Sequence, residues 1–283
     1  MIVNMEKILR DAENNHYAVP QFNINNLEWT RFILEECERL KTPVILGVSE
    51  GAARYMGGFL TVYNLVKGLV QDLKITVLVC LHLDHGSSYD SCICAIDNGF
   101  TSVMIDASKY SIDENIALTK KVVDYAHLRN VTVEAEVGAV GGEEDGVANE
   151  LAYAKVEDAV RLVKETNIDF LAPALGSVHG IYKGQPKLDF ERMVKIHELV
   201  KLPLVLHGGS GIPDDLIRKA ISCGICKINI NTELQIAWSK GVRKFLNEDS
   251  KVYDPRKIIK AGEQTMKKMI EEKVMLFESN NRA

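Results

Sequence analysis

The chain has 283 residues, 46% apolar and 26% charged, the balance of a globular protein whose core is large enough to need no cross-links. Its formal net charge of −5 gives no electrostatic ground for nucleic acid or an anionic membrane as partner, so any anionic ligand must be met by a local site. No apolar run is long enough to span a bilayer, and Met1–Lys7 lacks the basic-then-apolar design of an export signal, so a cytoplasmic protein with its six cysteines as thiols is expected.

Short apolar runs alternate along the chain with amphipathic stretches. Strands are expected at 18–23, 43–48, 75–84, 102–106, 132–137, 170–175, 203–207 and 225–230. Several are rich in Val, Ile and Leu without strict alternation, as parallel strands covered by helices require. Helices are expected at 26–40 and 113–128, where apolar residues recur at three- and four-residue spacing, and from Asp214, after Pro213, to near Gly224. A further helix is expected at 232–246, and a last one near 258–277 in a charged C-terminal extension that begins at about residue 250. Eight strand-then-helix units predict an α/β fold: a single (β/α)₈ TIM barrel over residues 1–283. Cys223 and Cys226 have redox or zinc spacing but no second pair, and they read as structural thiols.

The polar residues favour the barrel over an open sheet. Asn23, Ser49, Asp84, His85, Asp106, Glu136, His179, His207 and Asn229 all fall at or just past the C-terminal ends of these strands. In a barrel those positions converge on one rim, where active sites form. Three of the seven histidines, His85, His179 and His207, belong to this set, each followed by glycine. Three imidazoles with an open fourth position are a common catalytic zinc arrangement. His16, His127 and His197 lie in or near helices and read as surface residues, whereas His82, mid-strand, is placed to support His85 from behind.

Carboxylates crowd the same rim. Asp84 precedes His85, Asp106 ends the fourth strand, and Glu134 and Glu136 share one face of the fifth by the two-residue period. So many acids near a barrel mouth call for a cation or for proton chemistry. The loop after the fifth strand, Gly138–Gly146, combines glycine freedom with three carboxylates, as a mobile lid carrying a base would. After the seventh strand, His207-Gly208-Gly209-Ser210-Gly211 offers backbone N–H groups and a hydroxyl to an oxyanion, and the eighth delivers Asn229-Ile230-Asn231-Thr232 to a helix N-terminus. Phosphate is often held between these two loops in barrel enzymes.

Phe22-Asn23, Gly47–Gly51, His82–Gly86, Val103–Asp106, Val133–Glu136, Gly141–Asp145, the segment Ala172–Tyr182 and His207–Gly211 together resemble the zinc-dependent class II fructose-bisphosphate and tagatose-bisphosphate aldolases, across nearly the whole chain. The resemblance implies a lyase that reversibly cleaves D-fructose 1,6-bisphosphate to dihydroxyacetone phosphate and glyceraldehyde 3-phosphate through a zinc-stabilised enediolate. D-tagatose 1,6-bisphosphate is the alternative substrate. It implies catalytic zinc on His85, His179 and His207, with a second or alternate position involving Asp106 and Glu136. Asp84 would exchange the proton on the C4 oxygen, and Glu144 the proton of dihydroxyacetone phosphate. Phosphate would lie on Gly180, Gly208, Gly209, Ser210 and the segment from Asn229 through Ile230 and Asn231 to Thr232, with Na⁺ or K⁺ nearby. Asn23 and Ser49 match substrate-contacting positions. Arg256 resembles an arginine that reaches the distal phosphate from a neighbouring subunit of a homodimer or homotetramer. Pro20-Gln21 departs from the glycine and small residue of many relatives.

Two other chemistries compete. A Schiff-base aldolase needs a lysine with a lowered pKa inside the barrel, and Lys227 is the candidate. A metal-dependent sugar-phosphate epimerase or isomerase would use the same fold, and would yield no triose phosphates.

Overall fold

The computed structural model describes residues 1–144, 147–182 and 184–283, with backbone alone for 143, 144 and 147–149. In chain order, helix α1 (Met5–Asn15) precedes β1 (Val19–Asn23), α2 (Leu27–Leu40), β2 (Val44–Ser49), α3 (Glu50–Tyr55), α4 (Phe59–Asp72) and β3 (Val79–Gly86). Next come α5 (Tyr89–Asp97), β4 (Ser102–Ile105), α6 (Ile112–His127), β5 (Thr132–Val137), β6 (Gly141–Glu144) and β7 (Val147–Asn149). Then follow α7 (Val156–Thr166), β8 (Phe170–Pro173), β9 (Val178–His179), α8 (Phe190–Val200), β10 (Leu204–Leu206), α9 (Asp214–Ser222) and β11 (Ile225–Ile230). The chain ends with α10 (Thr232–Glu248), α11 (Pro255–Lys260) and α12 (Glu263–Leu276).

β1, β2, β3, β4, β5, β8, β10 and β11 close into a barrel, each paired in parallel with its neighbours, and Val19–Phe22 of β1 lies in register with Lys227–Ile230 of β11. This is the expected (β/α)₈ architecture, and the eight strands fall within the runs anticipated, within a few residues at each end. The helices begin where local chemistry directs them. Asn26 caps α2 by accepting from the Trp29 amide, and α2 then buries Trp29, Phe32, Ile33, Cys37 and Leu40 against the sheet. Ser111 and Glu114 form a reciprocal capping box on α6; such caps contribute about 1 kcal/mol each.

Three elements differ from expectation. Helix α1 plugs the N-terminal end of the barrel: Met5, Ile8, Leu9 and Ala12 pack with Val19, Ile45, Cys80, Phe170, Val205 and Cys226. The anticipated single helix at 258–277 is two, α11 and α12, separated by Ala261-Gly262. A side chain on Gly262 would meet the Trp238 ring, which donates its indole N–H to the Ile259 carbonyl. Helix α12 buries Met266, Ile270 and Val274 in the same core as the barrel helices, so the extension packs back onto α10 and α2. Finally, part of the glycine-rich loop is extended: β6 pairs antiparallel with β7 and parallel with β9. Asp145 and Gly146 of that loop lie outside the described residues, as does Lys183.

Candidate active site

Parallel strands all present their C-terminal ends to one rim, so residues remote in sequence meet there. His85 sits near the end of β3, His179 ends β9 and His207 directly follows β10. Their ring centroids are 5.1 Å (His85–His179), 4.7 Å (His85–His207) and 5.9 Å (His179–His207) apart. One nitrogen from each lies within 4.8 Å of the others. His85 takes φ +50°, a left-handed conformation costly for a side-chain-bearing residue, and such strain persists where the surroundings hold it.

The imidazoles of His85 and His207 are held in opposite senses. Nδ1 of His85 bonds Asp106 Oδ2 at 2.8 Å, while Nε2 of His207 bonds Glu134 Oε1 at 2.8 Å. This leaves Nε2 of His85 and Nδ1 of His207 facing each other at 3.0 Å. Burial, joined by the neighbouring His85, pulls His207 below its ordinary pKa although its bond to Glu134 opposes this. Burial and the flanking histidines likewise hold His179 well below its ordinary value. Neutral imidazoles of this kind keep a lone pair for a cation.

Glu136 points into the same space: its Oε2 lies 3.7 Å from His207 Nδ1 and is buried with no hydrogen-bond partner among the described residues. Burial and the nearby Asp106 push its carboxyl up to about 8, so the group invites a positive charge beside it. His85, Asp106 and Glu136 also satisfy metal-ligand proximity. Asp106 is engaged besides with the amide and hydroxyl of Ser108, so it orients His85 whatever else it binds. The donor set of three imidazoles and an unpartnered buried carboxylate oxygen fits a divalent metal of the zinc type.

Asp84 is 1% exposed and accepts from Asn23 Nδ2 at 2.9 Å and from Asn229 Nδ2 at 3.4 Å. Burial raises its pKa, but the neighbouring His85, His207 and Lys227 outweigh this and hold it well below the carboxylate range. It is an ionised carboxylate, held by two amides, beside the histidines.

Gly208 has φ +64°, and a side chain there would meet the Val178 carbonyl at 2.3 Å, so glycine is required. Tyr182 fastens this turn, donating to the Gly208 carbonyl at 2.9 Å and accepting from the Val178 amide at 3.0 Å. The Ser210 hydroxyl accepts from the Glu233 amide in the first turn of α10, which joins the two loops expected to hold phosphate. Asn231 and Thr232 begin that helix, while the Ile230 side chain is fully buried in the core and leaves only its backbone to a ligand. Gly180 directly follows His179, and Gly209, next to Gly208, has its amide engaged by the Asn229 carbonyl at 3.1 Å rather than free for phosphate. Ser49 caps α3 by accepting from the Ala52 amide, and it lines a cleft of about 510 Å³ with Asn23, Tyr55, Asn231 and Trp238.

Several expected residues stand elsewhere or in different roles. Arg256 pairs with Asp254 and lines a surface cleft with Lys251 and Tyr253, which shares no lining residue with the cleft at the barrel mouth. The side chain of Glu144 lies outside the described residues. His82 is engaged by other groups: its Nδ1 meets Ser102 Oγ at 2.9 Å and its Nε2 lies 3.8 Å from Glu134. His127 pairs with Asp169 and His197 with Glu13. Lys227, fully buried, bonds Glu134 Oε2 at 2.7 Å. No spacing rule marks the roles of Tyr182 and Ser108. The pairing of Lys227 with Glu134 was legible in principle, because a charge inside an apolar parallel strand needs a partner.

Solved aldolases share this closed parallel barrel. The chain superposes on the YdjI aldolase of Escherichia coli K12 with a TM-score of 0.88 at 35% identity, covering 100% of both chains. It superposes on a fructose-bisphosphate aldolase of Campylobacter jejuni with a TM-score of 0.85 at 25% identity, covering 100% of this chain and 97% of that one. The profile of the class-II fructose-bisphosphate aldolases matches residues 3–282, and the chain belongs to that family. A fructose-bisphosphate aldolase of Geobacillus stearothermophilus is 58% identical over 100% of this chain and 99% of its own length, and one of Staphylococcus aureus is 56% identical over the same shares.

Proposed function

We propose that the chain reversibly cleaves D-fructose 1,6-bisphosphate to dihydroxyacetone phosphate and glyceraldehyde 3-phosphate. The observation that carries this reading is Asp84, an ionised carboxylate oriented by Asn23 and Asn229 next to three converging imidazoles. In the cleavage direction Asp84 accepts the proton of the C4 hydroxyl. The C4–O bond becomes a carbonyl, the C3–C4 bond breaks, and its electron pair remains on C3 in conjugation with the C2 carbonyl. Glu144, by resemblance, returns a proton to C3. Zinc held by His85, His179 and His207, with Glu136 and Asp106 offering an alternate position, would supply Lewis acidity worth several kcal/mol to the charge developing on C3. The turn from Gly208 to Ser210, Gly180 and the segment Asn229–Thr232 that leads from β11 into α10 bind phosphate through the Ser210 hydroxyl and backbone N–H groups other than that of Gly209, which bonds the Asn229 carbonyl, with Na⁺ or K⁺ alongside. Asn23 and Ser49 hold the remainder of the substrate in the cleft.

The pairing of Lys227 with Glu134 speaks against a Schiff base, since an ion-paired ammonium is no nucleophile. The reading includes a cytoplasmic location, which the six free cysteines support, and a homodimer or homotetramer in which Arg256 serves a neighbouring site. No helix among the described residues is long and apolar enough to cross a membrane.

The test is the release of triose phosphates, measured side by side as kcat/KM on D-fructose and D-tagatose 1,6-bisphosphates. Higher kcat/KM on the fructose ester, abolished by a chelator and restored by zinc, is expected. A preference for the tagatose ester would reassign the substrate, and activity that survives chelation would sink the metal reading.

A further inference from the structure

Behind His207 runs a line of three side chains, all fully excluded from solvent: His207, Glu134 on β5 and Lys227 on β11. Glu134 Oε1 meets His207 Nε2 at 2.8 Å, and Glu134 Oε2 meets Lys227 Nζ at 2.7 Å. Both oxygens of one carboxylate are thereby engaged, one by an imidazole and the other by an ammonium. A buried ion pair of this kind is seldom more stable than apolar residues of the same volume. Its persistence in the barrel interior points to a role other than stability.

We propose that Lys227 and Glu134 are positioning residues that set the tautomer of His207. An ionised carboxylate accepts only, so the ring nitrogen that faces it must carry the proton. Glu134 therefore places the proton of His207 on Nε2, and the lone pair of Nδ1 is directed toward Nε2 of His85, 3.0 Å away. Lys227 holds Glu134 in this orientation, because turning the carboxylate would leave the Lys227 side chain without its partner in the barrel. Asp106 acts on His85 with the opposite sense, since it bonds Nδ1 and leaves Nε2 to the metal. The two ligands thus hold complementary tautomers, each imposed by its own carboxylate, and only that of His207 is anchored by a buried cation. Groups placed in this way typically change metal affinity 10–100-fold when removed.

This inference rests on the metal reading above, and the experiment separates the two. ¹⁵N-edited NMR of the histidine rings in the wild-type, zinc-loaded protein should show the His207 proton on Nε2. A proton on Nδ1 would overturn the relay without any variant having to fold. Zinc affinity is then measured by competition against a chromophoric chelator. The double variant Lys227→Met/Glu134→Leu removes both buried charges together, so its fold is preserved, and it should bind zinc 10–100-fold more weakly than wild type. Lys227→Met/Glu134→Gln retains an oxygen that accepts from Nε2, and should recover most of the loss. A purely structural pair would lower the melting temperature of both variants equally and leave zinc affinity unchanged, which would overturn the relay alone. If the wild-type chain took no zinc, the relay and the metal reading would fall together.

Discussion

The two ends of the barrel are built from the same strands and obey opposite rules. At the N-terminal end, α1 and the first residues of the strands bury Ile8, Leu9, Ile45, Phe170 and Val205 in an apolar plug. Toward the C-terminal end the barrel strands bury His82, Asp84 and Glu136, with Glu134 and Lys227 between, in register with Phe170 and Val205. The first end gains free energy from each side chain it hides, roughly 1.5–3 kcal/mol apiece. The second hides charges, which is unfavourable unless each finds a partner. Stability and chemistry are thus separated along the barrel axis, and the closed sheet lets one end bear the strain of the other.

That division can be challenged by mutation. At the rim, His207→Ala should strip zinc and activity together, the largest effect, read from bound metal and from triose-phosphate release. Asp84→Asn should keep zinc and lower kcat by two or more orders of magnitude, on the scale of lost acid–base catalysis. Nearly full activity in that variant would remove Asp84 from the proton path. At the plug, Leu9→Ala should cost about 2–5 kcal/mol in denaturant unfolding while kcat on the folded fraction stays at the wild-type value. A large fall in kcat there would show that the ends are coupled.

The smallest effect is electrostatic and lies at the N-terminal side. Glu38, near the end of α2, accepts from the hydroxyl and amide of Thr76 and the amide of Val77, just before β3. Burial raises its pKa, but the bonds from Lys41, Thr76 and Val77 outweigh this and hold it at about 2, below its ordinary 4.5. A depressed carboxyl stabilises the fold above the unfolded value and loses that contribution as pH falls through the folded one. Glu38→Gln should therefore flatten the pH dependence of unfolding between about 4.5 and 2 and leave it unchanged at neutral pH. An unaltered acid profile would show that these bonds carry little of the acid response.

Much of this was legible from residue order. The eight strands show as apolar runs because a parallel strand is covered on both faces. The three histidines, Asp84 and the glycine turn at Gly208 show because a barrel sends strand ends to one rim. Helix α1 carried a readable pattern as well, Met5, Ile8, Leu9 and Ala12 behind the cap Asn4, but the sequence does not say that this face fills the barrel floor. Strand β6 left no side-chain signal: it arises from backbone pairing of Gly141 and Gly142 with Val178 and His179, and glycine patterns carry no periodicity.

Residue order by itself determined the eight barrel strands, the handed barrel that follows from them, and which chemical groups reach the rim, because hydrophobic period and strand polarity are local properties. Tertiary structure alone decided the pairings. Asp106 meets His85, Glu134 meets His207 and Lys227, and Asn23 meets Asp84 only because closure brings strands from distant parts of the chain side by side. A buried charge announces that it needs a partner, but the register of the closed sheet selects which one.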